Sequence, residues 1–294
     1  MTADRRQAGF SLVELVIVIV IGGILAAMIA SFIGRPMESA VALNRRAELV
    51  DAADTALRRI GRDVKRGLPN SVRVAADGSR LEFVNVWESR AYRGEPGGVY
   101  TDAESVLDFG AGGDSQFNLL GRPLPALTAA QLSRIRLVVY NTNPDEFYRH
   151  AAVPPAAPAP WVISPSTASV VSIAPVPPGD EYRVTLAAPA IFPYSSPQRR
   201  MFLVDGPVSF VCDLANRTLL RFEGYAYAAA QPDLAALRAA ATGQVLARDV
   251  RQCAFHYLPG TSSRAALLGV DLTLANEAGE QVRLLRQVQL ENSP

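Results

Sequence analysis

GFSLVELVIVIVIGGILAAMIASFIG, residues 9–34, is an apolar stretch with one charged residue, Glu14. Its last twenty residues, 15–34, carry no charge, and a helix of that length spans about 30 Å, the hydrocarbon thickness of a bilayer. Arg5 and Arg6 precede it, and the positive-inside bias keeps them in the cytoplasm. We therefore predict one membrane-spanning helix, with most of the chain on the far side of the membrane.

Glu14 needs a specific explanation, because an acidic residue inside a membrane helix costs on the order of 3 kcal/mol and usually marks a partner. Phe10 and Glu14 are separated by four residues and share one helix face. The carboxylate can therefore meet an ammonium group, from its own chain or from a neighbouring one.

The residues GFSLVEL, 9–15, resemble the prepilin signal of type IV pilins and of type II secretion pseudopilins. The resemblance implies that a prepilin peptidase cuts after Gly9 and methylates the new amino terminus at Phe10. It also implies that Glu14, then the fifth residue, pairs with the amino terminus of a neighbouring subunit in a filament. Glycine before the cut leaves room for the peptidase.

Two simpler interpretations compete with this one. An ordinary secretory signal peptide would use the small-x-small site at 40–42, but that site lies beyond Arg35 and Glu38, and Glu14 interrupts the apolar core. A plain signal anchor would leave Glu14 without a role. The prepilin interpretation accounts for all of these residues.

We divide the N-terminal region into a leader, 1–9, a hydrophobic half-helix, 10–35, and an amphipathic half-helix, 36–68. Pro36 lacks a backbone donor and is predicted to kink the helix, which Gly22 and Gly23 also loosen. Small residues in the first half either permit close helix packing or are merely tolerated by lipid. Apolar residues recur at threes and fours in the second half, at Leu43, Ala47, Val50, Leu57, Ile60 and Val64.

The charged face of the second half-helix mixes signs, and its basic cluster at 58–66 fits a solvated or subunit-facing surface better than a site for DNA or acidic lipid. The formal net charge of the chain is +1. We therefore expect no nucleic-acid partner.

Residues 69–294 read as one β-rich extracytoplasmic domain, so we predict an α+β protein with a long pilin-type helix and a large antiparallel sheet. A Pro/Ala-rich stretch, 151–160, is predicted to be an extended loop, and a split into two domains there is the second choice. Predicted strands are 71–75 and 80–86, which form a hairpin, then 134–141, 169–174, 181–187, 200–204, 208–212, 218–227, 250–258, 265–274 and 280–291, with short helices at 128–132 and 232–241.

The two cysteines, Cys212 and Cys253, lie at predicted strand ends in the exported region. In an oxidising compartment a disulfide is expected. It would close a loop of about 40 residues and add about 4 kcal/mol in the chain-entropy model. The only histidines, His150 and His256, lack ligand spacing, so we predict no metal site at the cysteines, and His256 is expected to be a strand residue.

Recognisable catalytic motifs and phosphate loops are missing from the sequence, which predicts a protein that is not an enzyme and needs no cofactor. The glycine-rich stretch 108–114, DFGAGGD, offers oxygen ligands for calcium but lacks the acidic spacing of a known loop, so a glycine turn is preferred. A ligand-binding face remains open if a concave pocket forms around Trp87, Tyr92, Tyr100 or Trp161.

Five further stretches resemble minor pilins of mannose-sensitive-haemagglutinin (MSHA) type pili: ALRRIGRD at 56–63, LPNSVR at 68–73, VSFVC at 208–212, VRQCAFHY at 250–257 and GEQVRLLRQV at 279–288. The size and plan of the chain are also similar to a minor pseudopilin of type II secretion. The resemblance implies a bacterial inner-membrane protein with a periplasmic domain that later enters a pilus or pseudopilus. Its expected partners are the prepilin peptidase, other minor and major pilins, membrane lipid before assembly, and an inner-membrane platform with its ATPase. A tip-displayed adhesive module is the alternative from another functional class, and an anchored periplasmic enzyme is a distant third.

Overall fold

The computed structural model describes residues 9–100, 102, 105–121, 127–153, 159–261 and 264–291. Of the predicted leader, only Gly9 falls within these ranges. Residues 154–158 of the predicted Pro/Ala loop and the last three residues, 292–294, also lie outside them.

The N-terminal region forms one helix, α1 (Leu12–Lys65), followed by a β-rich domain, and the predicted α+β architecture is confirmed. The helix ends where the N–H of Arg66 bonds the carbonyls of Asp63 and Val64, three residues before the predicted end at 68. The β-rich domain contains β1 (Arg73–Val74), β2 (Arg80–Tyr92), β3 (Asp114–Leu120), α2 (Ala129–Leu132), β4 (Arg136–Val139), α3 (Pro144–Ala152), β5 (Val170–Val176), β6 (Glu181–Ala190), β7 (Arg200–Asp213), β8 (Thr218–Glu223), α4 (Leu234–Ala240), β9 (Gln244–Arg248), β10 (Val250–Leu258), β11 (Ala266–Ala275) and β12 (Gln281–Leu290).

Two antiparallel sheets make up this domain. The larger follows the order β5-β6-β3-β2-β7-β8-β9, with β1 added beside β2 and β4 beside β7. The smaller consists of β10, β11 and β12 in chain order. The first half of β7 pairs with β4 and its second half with β8, while β2 runs along both halves. β2 and β7 therefore form the spine of the domain.

α1 packs against the smaller sheet over its last four turns. Leu49, Ala53, Leu57 and Ile60 are buried there in one cluster with residues of β10, β11 and β12. The predicted apolar face is partly wrong, because Leu43 and Val50 are exposed and Leu49, Ala53 and Ala56 are buried instead. Before Leu49, the side chains that the structure describes, at 9–29 and 40–48, are all exposed. The apolar residues among them have no sheet to cover them.

An ion-pair cluster ties α1 to the larger sheet as well. Asp63 accepts hydrogen bonds from Arg59, one turn away, and from Arg221 of β8, at 3.1 and 2.9 Å. Arg221 is almost fully buried and also pairs with Glu223. The Arg221–Asp63 pair is largely shielded from water, and a charge-assisted bond of this kind holds both groups in one geometry. This pair therefore fixes how the end of the helix sits on the larger sheet.

Three elements were missed by the sequence prediction, and one predicted break is absent. β3 has no period-two alternation, and β9 is a short edge strand, so neither had a clear signal. α3 did have one, since Asn143 caps it and Pro144 occupies its first turn. The predicted strands 200–204 and 208–212 form a single strand, β7, which continues through a register shift at Gly206 (φ +140°).

Other strand predictions differ mainly at their ends. The hairpin is confirmed as β1 and β2, although β1 has only two residues and β2 continues to Tyr92. Predicted strand 218–227 ends early, at Glu223, because Gly224 (φ +78°) turns the chain away. The predicted short helices correspond to α2 and α4, and His256 lies in β10 as expected.

Candidate functional site

The start of α1 is held by Ser11. Its Oγ accepts a hydrogen bond from the backbone N–H of Glu14 at 3.2 Å, and its carbonyl accepts one from Leu15 at 3.1 Å. Gly9 and Phe10 precede the helix, and Phe10 is 77% exposed. The peptide bond after Gly9 therefore lies in accessible, non-helical chain. The Ser11 cap was not predicted, although Ser-x-x-Glu at a helix start is a known sequence signal for it.

Glu14 lies exposed in the first turn of α1, close to the positive end of the helix dipole. No ion pair to its carboxylate occurs within the part of the chain that the structure describes. The pairing of Glu14 with the amino terminus of a neighbouring subunit stays a prediction.

The segment Leu12–Ile29 has a mean hydropathy of 2.9 and none of its residues is buried. It is long and apolar enough to cross a membrane. A side chain built at Gly22 or Gly23 would meet nothing within 4 Å, so both positions are open to another helix. The helix continues without a break through Gly22, Gly23 and Pro36, and a kink at these residues stays a prediction for the assembled state.

Cys212 of β7 and Cys253 of β10 form a disulfide, with Cα atoms 5.7 Å apart. The bond joins the larger sheet to the smaller one, on which α1 packs. It therefore links the helix-bearing part of the domain to its spine.

A buried polar network was not foreseen from the sequence. Glu82 of β2 is fully buried and accepts hydrogen bonds from Nε of Arg73 and from the hydroxyl of Tyr225, the latter at 2.8 Å. The Arg73 guanidinium also lies 3.6 Å from the ring centre of Tyr148. The same Tyr225 hydroxyl lies 2.6 Å from Oγ of Ser209. The network connects residues far apart in sequence and anchors the chain after β8 to the spine.

We predict a pH-dependent contribution of Glu82 to stability. Burial raises the pKa of its carboxyl above the ordinary value of 4.5, despite the opposing effects of Arg73 and Tyr225. The folded state then binds a proton more tightly than the unfolded state, so this contribution is present below about pH 4.5 and is lost as the pH rises through the folded-state pKa. Wild type should therefore lose stability relative to Glu82→Gln as the pH rises above about 4.5.

Denaturant unfolding of both full-length proteins in detergent at a series of pH values measures this difference. Asp77→Asn, at an exposed carboxyl whose pKa is lowered below 3.8 by hydrogen bonds from Ser79, is the control. Wild type should lose stability relative to this variant only as the pH falls below about 4, and the two should run parallel at higher pH. A wild type that gains stability relative to Glu82→Gln over the same range would mean that Arg73 dominates.

The four aromatic residues considered for a ligand pocket do not converge. The hydroxyl of Tyr92 accepts a hydrogen bond from the N–H of Ser196, and that of Tyr100 donates to the carbonyl of Val176. The ring of Trp161 stacks on His150 at 4.7 Å. Trp87 borders two cavities. Of the four, Trp87 therefore remains the candidate for a ligand contact.

The stretch 108–114 forms a turn in which the Asp carboxylates accept hydrogen bonds from backbone N–H groups. Asp114 accepts from the N–H groups of Asp108 and Gln116, and Asp108 accepts from Gly110. Across the described residues, no three His, Cys, Asp or Glu side chains are grouped to hold a metal ion. The geometry agrees with a glycine turn stabilised by Asp side chains.

Comparison with known proteins gives one match. The family of the prokaryotic N-terminal methylation motif matches residues 4–30. No curated protein and no solved structure matches the chain. The motif supports a type IV pilin-like, structural protein that is anchored by its N-terminal helix. It also implies processing by a prepilin peptidase and assembly with other pilins.

Proposed function

We propose that the protein is a minor pilin of an MSHA-like type IV pilus, which takes part in priming, assembly or tip formation of the filament. The observation that carries this proposal is the prepilin junction itself. An accessible bond after Gly9 is followed directly by an apolar helix that the rest of the chain leaves uncovered. Such a helix needs lipid before assembly and other helices afterwards.

The order of events follows from the chemistry of the N-terminus. The leader, with Arg5 and Arg6, stays in the cytoplasm and is removed after Gly9. Phe10 becomes the methylated amino terminus and remains a cation. The helix then leaves the membrane for the filament core, where Glu14 pairs with the amino terminus of a neighbour. Pairing removes the cost of an isolated carboxylate among apolar helices.

The size of the domain behind the helix favours a minor position. In the described residues, two sheets with twelve strands project from one end of α1. A β-rich domain of this size hinders the close stacking of many copies that a major subunit needs. A single copy at a tip or in a priming complex does not have to stack on copies of itself. The stretches at 68–73, 208–212, 250–257 and 279–288 are similar to the MSHA pilus biogenesis protein MshO.

Intact-mass spectrometry of the protein from its native membrane tests this proposal. We expect the mass of residues 10–294 plus one methyl group. Gly9→Val should retain the leader, and Gly34→Val, in the same helix but away from the junction, should be processed normally. An unprocessed Met1, or a cut after Ala42, would contradict the proposal.

A minor pseudopilin of type II secretion, of the J type, is the second candidate, because the processed helix serves both systems. Adjacent genes separate the two, since each system has its own pilin, platform and ATPase genes. Deletion of the gene gives a functional test: loss of surface pili with normal secretion supports the pilus, and the reverse supports the pseudopilus.

A further inference from the structure

Trp87 occupies an irregular position in the spine of the domain. Val86 pairs with Val204 and Glu88 with Leu203, so Trp87 has no partner on β7. A bulge of this kind redirects a side chain, and bulges are frequent beside binding sites. Trp87 lies between two cavities of about 320 and 280 Å³.

The larger cavity, which we name the Trp87 cleft, lies where the end of α1, the bulge of β2, the start of β7 and the ends of β10 and β12 meet. Trp87, Phe202 and Tyr257 supply aromatic surface to it. Burial raises the pKa of the Tyr257 hydroxyl, which therefore stays a neutral hydrogen-bond donor. Trp87 and Tyr257 are half-buried, whereas Phe202 is almost fully buried beneath the Arg200 guanidinium, which lies 5.9 Å from the centre of its ring. The lining of the cleft thus combines aromatic side chains with polar groups.

Three cations also border the Trp87 cleft: Lys65, Arg66 and Arg200. Within the described residues none of them forms an ion pair with a carboxylate, and Arg200 donates only to Gln198, at 2.7 Å. Arg58, by contrast, is paired with Asp54 on the same helix.

Two carboxylates, Glu88 and Glu291, border the same cleft, and Glu88 lies 3.4 Å from Arg90. The cations therefore exceed the carboxylates in the lining. The C-terminus of α1 favours cations by its dipole, which accounts for Lys65 and Arg66. It does not account for Arg200, which belongs to β7. The excess of positive charge in a concave site favours an anionic ligand.

We propose that the Trp87 cleft binds a sugar that carries a carboxylate. The weakly positive C–H face of a sugar ring packs on the negative face of an aromatic ring. Guanidinium groups bind a carboxylate through paired hydrogen bonds. The cavity volume lies at the lower end of the range for small-ligand sites, which fits one or two rings rather than a polymer. Uronic, muramic and sialic acids share this chemistry.

Titration of the full-length protein in detergent tests the proposal with a matched ligand pair. Methyl β-glucuronide and methyl β-glucoside differ in the carboxylate. The chain has two tryptophans, so in a Trp161→Phe background the fluorescence reports on Trp87. We expect a saturable change with the glucuronide and at least tenfold weaker binding of the glucoside. Equal affinity for both ligands, or no saturable response to any acidic sugar at about 10 mM, would overturn the proposal.

Two further acids identify the source of the ligand. Tighter binding of N-acetylmuramic acid than of the glucuronide points to bacterial cell-wall glycan from which the stem peptide, which otherwise blocks this carboxylate as an amide, has been removed. Tighter binding of N-acetylneuraminic acid points to surface glycans of another cell. Either result supports the carboxylated-sugar class.

Calorimetry on charge variants tests the role of the cations. Lys65→Gln with Arg66→Gln should lower the affinity for the glucuronide at least tenfold and leave that for the glucoside unchanged. Both side chains are exposed and unpaired, so the fold should persist, which circular dichroism checks. Arg45→Gln with Arg46→Gln removes the same charge from an exposed part of α1 outside the cleft and should have no effect. An equal loss in both double variants would show general charge attraction and overturn the proposal.

Discussion

Glu14→Gln is expected to leave cleavage after Gly9 intact and to reduce the amount of this protein in purified pili by at least about tenfold, the effect of about 1.4 kcal/mol. Glutamine has nearly the shape of glutamate but no charge, so the helix and its cap by Ser11 should persist. Under the proposed function, the variant loses the pairing between this carboxylate and a neighbour's methylated amino terminus. When a charge pair is removed from water on assembly, deleting one partner costs more than about 1.4 kcal/mol, because the other charge is left buried and unpaired.

Two measurements are needed for this variant. Intact mass shows whether the leader has been removed, and immunoblots of sheared pili against whole membranes show how much has been assembled. Glu48→Gln, at an exposed glutamate on α1 beyond the apolar segment, is the matched control and should assemble normally. Normal assembly of Glu14→Gln would argue against the pairing role while leaving the cleavage site in place.

Replacing both Cys212 and Cys253 with serine is expected to lower the free energy of unfolding by about 4 kcal/mol. The disulfide spans 41 residues in sequence, and a cross-link of that span removes about this much free energy from the unfolded chain. It also joins the two sheets, so its loss should loosen the smaller sheet and the helix that packs on it. Denaturant unfolding of the oxidised wild type and the double variant gives the difference.

Reductant provides the internal control for the cysteine prediction. It should destabilise the wild type to nearly the level of the double serine variant and leave that variant unchanged. A difference below about 1 kcal/mol would mean that the packing of α1 against both sheets holds the domain together without the cross-link.

The sequence supported sound predictions where the signal is local. Neighbouring residues were enough to predict the membrane segment, the amphipathic turns from Leu57 to Val64 and the hairpin of 71–75 with 80–86. Simple counting was enough to predict the disulfide, because the sequence has only two cysteines. Strands β3 and β9 were not predicted, because short strands without alternating apolar and polar residues resemble loops. The sequence predicted two strands in place of β7, because Asp-Gly-Pro at 205–207 normally ends a strand. Here Gly206 and Pro207 pair with β2, which keeps this segment in the sheet.

The sequence by itself determined the N-terminal methylation motif, the uncharged run at 15–34 and the α+β plan, because a short motif, hydropathy and helix length are properties of consecutive residues. Only the tertiary structure decided which face of α1 is buried, the network of Arg73, Glu82 and Tyr225, and the cleft beside Trp87. These depend on contacts across long stretches of chain, such as the bond from Tyr225 to Glu82, 143 residues apart. Such contacts form only once strand register and the bulge in β2 are set, and no local pattern encodes that register.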